Sequence, residues 1–378
     1  MSNRWKGGYI QAYFDPLTVG PLLNFGPLYV WGDNNLGQIG NDSVVDASSP
    51  VQIGSENWKE IAGGDTHNLA IKTDGTLWAW GEGDKGQLGQ NDVIRRSSPV
   101  QIGALTTWSS ISGGRDNSFG IKTDGTLWAW GANDSGILGI NSTSRRSSPV
   151  QVGALTTWAK IHAGAEATHA IKTDGTAWGW GRGGTYGLIG NGTFNYVSSP
   201  VQIGAETNWE TINCGKLSVQ AIKTDGTLYG WGYNLFGDVG SNNTTVYNSP
   251  VQIGALTNWG YLTKGCEASQ SLSVKTDGTL WTWGSNQFGR LGDNTTIYRS
   301  SPVQIGSDTD WYEGSNGAVL HCIKTDGTLW CLGSQANQGS GGTGEASFHN
   351  SSPVQVGALT TWGAIDNGDV TPVAFLKS

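Results

Sequence analysis

The sequence predicts an all-β protein: a seven-bladed β-propeller of four-stranded antiparallel blades, closed by a composite N-/C-terminal blade. Three observations lead there. A phrase reading Ser-Pro-Val-Gln-Ile/Val-Gly recurs seven times, with its proline at Pro50, Pro99, Pro149, Pro200, Pro250, Pro302 and Pro353, 49 to 52 residues apart. A tryptophan follows each at a nearly fixed distance: Trp58, Trp108, Trp158, Trp209, Trp259, Trp311 and Trp362. A second phrase, Lys-Thr-Asp-Gly-Thr, starts at Lys72, Lys122, Lys172, Lys223, Lys275 and Lys324 and occurs only six times. Repeats of about 40–50 residues build solenoids or propellers, and the incomplete seventh copy separates the two. Residues 353–378 are complemented by 23–49, where Phe25-Gly26-Pro27-Leu28-Tyr29-Val30-Trp31-Gly32 aligns with Asp74-Gly75-Thr76-Leu77-Trp78-Ala79-Trp80-Gly81. An open solenoid wants polar caps at its ends. A ring wants its first and last segments to share one unit.

In chain order, residues 1–22 match no repeat and form an N-terminal arm; residues 23–378 form the propeller, with 353–378 plus 23–49 as its composite blade. Trp5, Tyr9, Ile10, Tyr13 and Phe14 make the arm too apolar for a solvated tail, yet it is too short to build a core. It is expected to fold back on the ring or to dock on a partner. Within a unit, Pro99 to Gly103 and Trp108 to Ile111 read as short strands, and Phe119 to Lys122 and Thr126 to Trp130 flank the hairpin signal Thr123-Asp124-Gly125. That makes four strands per blade. Leu127-Trp128-Ala129-Trp130 is apolar on both parities, as in a strand covered on both faces. Eighteen of the 19 tryptophans fall in three repeat columns, those of Trp58, Trp78 and Trp80, and are expected to supply the core between blades.

Composition agrees by exclusion. With 59 glycines, one methionine and only 14% charged residues, the chain is no helical bundle. No apolar run approaches the ~18 residues of a membrane span, and Met1 to Ile10 lack the apolar stretch of a secretory signal. A net charge of -8 without a Lys/Arg tract argues against nucleic acid as a partner. Four cysteines are too few for a disulfide scaffold.

Two resemblances follow from particular residues. The runs Leu77 to Gly89 and Leu127 to Gly139, with Gly63-Gly64 after Ile61, resemble the regulator-of-chromosome-condensation repeat family, and the match extends through all seven units, about residues 23–378. The resemblance implies a seven-bladed propeller that binds proteins. The family's founding member acts on the small GTPase Ran and docks on nucleosomes through loops and a basic tail for which this sequence has no counterpart; other relatives inhibit β-lactamases or serve as interaction platforms. Separately, Ser2 to Thr18, around Arg4-Trp5-Lys6-Gly7-Gly8, resemble leader segments of tailed-bacteriophage virion proteins. That implies an anchor holding the propeller on a viral particle.

Catalytic chemistry finds little support. His67, His162, His169, His321 and His349 form no cluster with metal-ligand spacing and have no nucleophile beside them. The Asp-Gly aspartates, such as Asp74 and Asp124, are explained by turn geometry. Asn141 and Asn294 begin Asn-x-Ser/Thr triplets that read as turns. Cys322 faces Cys331 directly if Asp326-Gly327 is a two-residue turn, and is out of register with it if the turn has three residues and a bulge. No catalytic residue, metal or cofactor is therefore assigned. The variable loops carry the candidate partner-binding residues. One column after each Trp-Gly holds Leu36, Lys85, Ser135, Tyr186, Phe236, Phe288 and Gln338; further on come Arg95, Arg145, Tyr196, Tyr247 and Tyr298. Aromatic and arginine side chains on one face of a rigid ring have the composition of a protein-binding surface, the alternative being that they cover blade edges.

The expected function is a non-enzymatic interaction propeller, a structural or decoration protein of a tailed-phage virion contacting virion subunits or host surface. The alternative is a soluble protein-binding regulator of the chromosome-condensation-regulator type, exchanging guanine nucleotide or inhibiting an enzyme. The first places the protein in the virion and the second in the cytoplasm.

Overall fold

A computed structural model describes residues 26–265, 269–335, 339–345, 348–368 and 371–377. The arm residues Trp5, Tyr9, Tyr13 and Phe14 lie outside them, as does Gln338. Seven blades surround a central channel. Five are separate four-stranded antiparallel sheets, and two are joined in one seven-stranded sheet. The second blade shows the pattern: strands Trp108–Gly113, Asn117–Lys122, Leu127–Gly131 and Arg146–Gln151, in order from the channel outward. Blades are numbered 1 to 7 by their opening tryptophans, from Trp58 to Trp362.

The predicted strands exist, but their grouping differs by one. The Ser-Pro-Val-Gln strand does not open a blade; it closes the preceding one, so Arg96–Gln101 pairs with Leu77–Gly81 of blade 1. The composite blade is correspondingly Trp362–Asn367, Pro372–Leu376, Gly26–Gly32 and the first half of Ala47–Gly63. That last strand runs on without a break: Ile53 lies opposite Leu28 of blade 7, and Trp58 opposite Lys72 of blade 1.

The tryptophan columns join the blades. Trp31, Trp80, Trp130, Trp180, Trp231 and Trp283 are fully buried, and each indole N–H donates to a carbonyl of the preceding blade, on Ser340, Gln38, Gln87, Ile137, Leu188 and Asp238 respectively, at 2.7–3.0 Å. Burying an indole while satisfying its one donor avoids the desolvation cost of a lone N–H. A second girdle lies further out. Backbone N–H groups of Asp42, Asn91, Asn141, Gly192, Asn242, Asn294 and Gly344 donate to the outer strand of the next blade, on Ser97, Ser147, Ser198, Asn248, Ser300, Ser351 and Ser48, at 2.6–2.8 Å. The last of these bonds closes the circle from blade 6 to blade 7. Asn141 and Asn294 have φ of 53° and 59°, the left-handed turn conformation that asparagine tolerates.

The repeated hairpin is a three-residue turn. Lys122 N–H donates to Thr126 and Gly125 N–H to Lys122, with Gly125 at φ 77°. Asp124 Oδ1 accepts from the Thr126 amide and hydroxyl, and Trp128 Nε1 donates to the same hydroxyl at 2.9 Å. The Lys122 ammonium lies 5.0 Å from the Trp108 ring and 3.5 Å from the Trp128 ring. One five-residue phrase thus builds the turn, orients the indole and places a cation between two aromatic faces. The same turn decides the cysteine register: Cys331 lies opposite His321, and Cys322 opposite Trp330. Cys214, Cys322 and Cys331 are buried free thiols.

Candidate functional site

Antiparallel strands place the loops between first and second strands, and between third and fourth, at one end of the ring. This is the loop face. Asp-Gly turns and blade-to-blade connections occupy the other end, the turn face.

The candidate residues separate by burial. Phe288, Tyr196 and Tyr298 are exposed by 52%, 57% and 44%, and Arg95 and Arg145 are exposed as well. Leu36, Tyr186, Phe236 and Tyr247 are half-buried. Tyr247 differs in kind from its supposed column. It opposes Gly232 at the start of an outer strand, as Arg96 opposes Gly81, one residue past the loop position held by Arg95, Arg145, Tyr196 and Tyr298. It packs against two core clusters and its hydroxyl accepts from Asn243 at 3.0 Å. Tyr247 covers a blade edge.

Four blades contribute side chains to two contact groups on the loop face, which together form an arc. Arg115, between the first two strands of blade 2, donates to Glu166 Oε1 of blade 3 at 2.8 Å, and Arg182 donates to Glu166 Oε2 at 3.2 Å. The Arg182 guanidinium lies 5.4 Å from the Tyr186 ring centroid. Tyr186 meets Tyr233 of blade 4 edge-on at 5.3 Å, and Phe236 meets Tyr298 of blade 5 edge-on at 5.2 Å. Exposed Leu235 and Ile297 flank the second pair. Such inter-blade contacts hold the side chains in place, so a partner would meet a pre-ordered surface. Arg145, beside the arc, pairs with Asp134 at 3.0 Å.

Arg115, Glu166, Arg182 and Tyr233 were not singled out in the sequence. Their signal is a change of chemistry within a column: Arg182 and Tyr233 follow Trp-Gly where the other units place Asp33, Glu82, Ala132, Ser285 and Ser334.

The channel carries a second group of charges. Its cavity, about 130 Å³, is lined by the first-strand residues Glu60, Lys160, His162 and Asp366 and by Lys264, just past the first strand of blade 5. Burial raises the carboxyls of Glu60, Glu313 and Asp366, the last to about 6, and the positive charge of Lys264 opposes that rise in all three. Asp366 also accepts from Ser315 Oγ and the Asn367 amide at 3.2 and 2.8 Å. Burial pushes His67 and His162 down to about 3, and His169 and His321 down to about 4. His67 Nε2 lies 2.8 Å from Ser118 Oγ, and His162 Nδ1 accepts the Cys214 amide at 3.2 Å. Among the described residues no group of His, Cys, Asp and Glu has the geometry to hold a metal ion, and no helix is long and apolar enough to cross a membrane.

Comparison with known proteins matches residues 21–269 to the RCC1-like domain model and residues 277–312 to the regulator of chromosome condensation (RCC1) repeat. Prp20p from Saccharomyces cerevisiae superposes with a TM-score of 0.82 at 17% identity, covering 93% of this chain and 92% of that one. Human WBSCR16 superposes with a TM-score of 0.82 at 19% identity, covering 93% and 100%. Yeast RCC1 (Prp20), in a crystal structure with Kap60, gives 0.82 at 16% identity, covering 94% and 90%. At these identities the likeness is one of fold.

Proposed function

The chain belongs to the RCC1-like domain family, and from that premise we propose that it is a protein-binding regulator that engages its partner through the loop face and performs no covalent chemistry. The arc from Arg115 through Glu166, Arg182, Tyr186 and Tyr233 to Phe236 and Tyr298 carries this reading. It combines aromatic and arginine anchors with inter-blade contacts that fix their positions, the composition and rigidity that concentrate binding energy in a few residues. Prp20p, whose structure was reported with its binding to Gsp1p and histones, supports protein partners for this fold.

A nucleotide-release assay on small GTPases loaded with fluorescent GDP tests the regulatory form of the reading. Accelerated release is expected with the wild-type chain and at least about tenfold less with Arg182→Ala/Tyr298→Ala, a loss of ~1.4 kcal/mol or more. Equal acceleration by both proteins would remove the loop face from the mechanism. The virion reading rests on residues 1–22, outside the described residues, and neither the fold nor the relatives add support to it. Co-purification with phage particles that is lost on deleting residues 1–22 would be needed to establish it.

A further inference from the structure

The turn face presents one structural device in two forms. In six blades the lysine of Lys-Thr-Asp-Gly-Thr lies over two aromatic rings. In blades 1, 4 and 6 the connection leading into the blade also supplies a carboxylate. Glu56 lies 3.3 Å from Lys72, Glu206 2.7 Å from Lys223, and Asp308 2.6 Å from Lys324, with Asp310 adding a contact at 3.1 Å. In blades 2, 3 and 5 the corresponding residue is Leu105, Leu155 or Leu256, exposed by 50%, 47% and 49%.

Lys122, Lys172 and Lys275 are therefore left with their aromatic rings alone. They are 8%, 8% and 6% exposed, and among the described residues no carboxylate stands within ion-pair distance of them. Burial lowers all three, with only a distant turn aspartate opposing it. At Lys223 and Lys324 the same burial is outweighed by the adjacent carboxylates. A lysine more than nine-tenths covered along its length, with no carboxylate at its ammonium, is an electrostatic demand that the fold meets in three blades and leaves open in three.

We propose that Lys122, Lys172 and Lys275 are carboxylate-binding subsites on the turn face, and that their occupant is an acidic segment of a partner protein with aliphatic residues beside its Glu or Asp side chains. Carboxylate is the ligand because the chain itself places one on the equivalent lysine in each of the three closed copies. Each open site presents a single ammonium over its rings, a point charge rather than the forked donor that suits the greater charge of a phosphate. The aliphatic component follows from the exposed leucine beside each site, which offers the partner apolar area to cover. This surface lies opposite the loop face, so the proposal stands or falls independently of the function assigned there.

The probe is an acetylated, amidated Gly-Glu-Leu-Glu-Leu-Gly peptide titrated into the full chain, with lysine Nζ and leucine methyl resonances observed by NMR. The peptide is expected to shift Lys122, Lys172, Lys275 and their leucines while leaving Lys223 and Lys324 in place. The same peptide with glutamine for glutamate should have no effect. The triple variant Leu105→Glu/Leu155→Glu/Leu256→Glu supplies the carboxylates internally at exposed positions; it should fold and bind the peptide at least about tenfold more weakly. Glu206→Leu should make Lys223 newly responsive. Unchanged binding by the triple variant, no shift at millimolar peptide, or equally tight binding of inorganic phosphate would each overturn the proposal.

Discussion

Replacing Lys264 with methionine should destabilise the ring strongly at neutral pH and much less at pH 5. The side chain acts on three channel carboxylates, contributed by blades 1, 6 and 7, and is the cation common to them; Lys59 adds to Glu60 and Lys377 to Glu313. Asp366 is 6% exposed and rises from 3.8 to about 6 even with Lys264 present. Two pKa units correspond to about 3 kcal/mol for keeping it ionised in the fold. Lys264 acts on these groups through space, with no carboxylate within ion-pair distance among the described residues, and Glu60 and Glu313 are only half-buried, so the loss falls short of the ~3–5 kcal/mol of a broken buried ion pair, about 2 kcal/mol at pH 7.5. The sign with pH follows from the direction of the shifts. A carboxyl whose folded pKa is raised holds its proton more tightly in the native state, so its penalty is full above about pH 6 and fades as pH falls toward its unfolded value. Acidification protonates the groups that Lys264 opposes, and the loss caused by its removal shrinks. Urea unfolding of wild type and Lys264→Met at pH 7.5, 6 and 5 reads this directly. A difference that is constant over this range, or that grows toward pH 5, would refute the channel electrostatics.

Three further outcomes are expected. Asp238 is 3% exposed and pushed up to about 7 by burial, so Asp238→Asn should stabilise the protein by a few kcal/mol at pH 8.5 and by only about 1–2 kcal/mol at pH 5, measured by urea unfolding. Trp130→Leu empties part of a fully buried site and leaves the Gln87 carbonyl without its indole donor, which should cost about 2–4 kcal/mol by the same method. Burial pushes the Cys331 thiol up to about 12 and raises Cys214 and Cys322 further; iodoacetamide at pH 8 should therefore leave all three unmodified in the folded protein and label them after unfolding.

The fold was legible where one physical need repeats. Three tryptophan columns, the Asp-Gly turns and the divided seventh unit each specify a ring, and the blades use them so. A period, however, fixes a length and not a phase. Counted from its recurring phrase, the repeat puts Ser-Pro-Val-Gln with the tryptophan it precedes; the hydrogen-bond register places it on the blade before. The one-residue offset of Tyr247 has a related cause. Loop lengths differ between units, and in a strand a single step exchanges the two faces. The channel charges were not legible. Glu60, Lys264 and Asp366 look like scattered departures from the repeat, and only closing the circle brings residues about 300 positions apart into one cavity.

The composite blade also sets an order on folding. Leu28, Tyr29 and Val30 pair with Phe375, Ala374 and Val373, so one strand waits for another that is synthesised more than 300 residues later. Until Trp362 to Leu376 leave the ribosome, the strand Gly26–Gly32 has its partner in Ala47–Gly63 alone, and its other edge is open to any strand that arrives first. Earlier blades can form as they emerge, from contacts local to about fifty residues, but completion of the circle depends on the pairing with the longest sequence separation. Destabilising Pro372–Leu376 should therefore slow the final step of refolding and promote strand exchange between chains, with little effect on how quickly the other blades form.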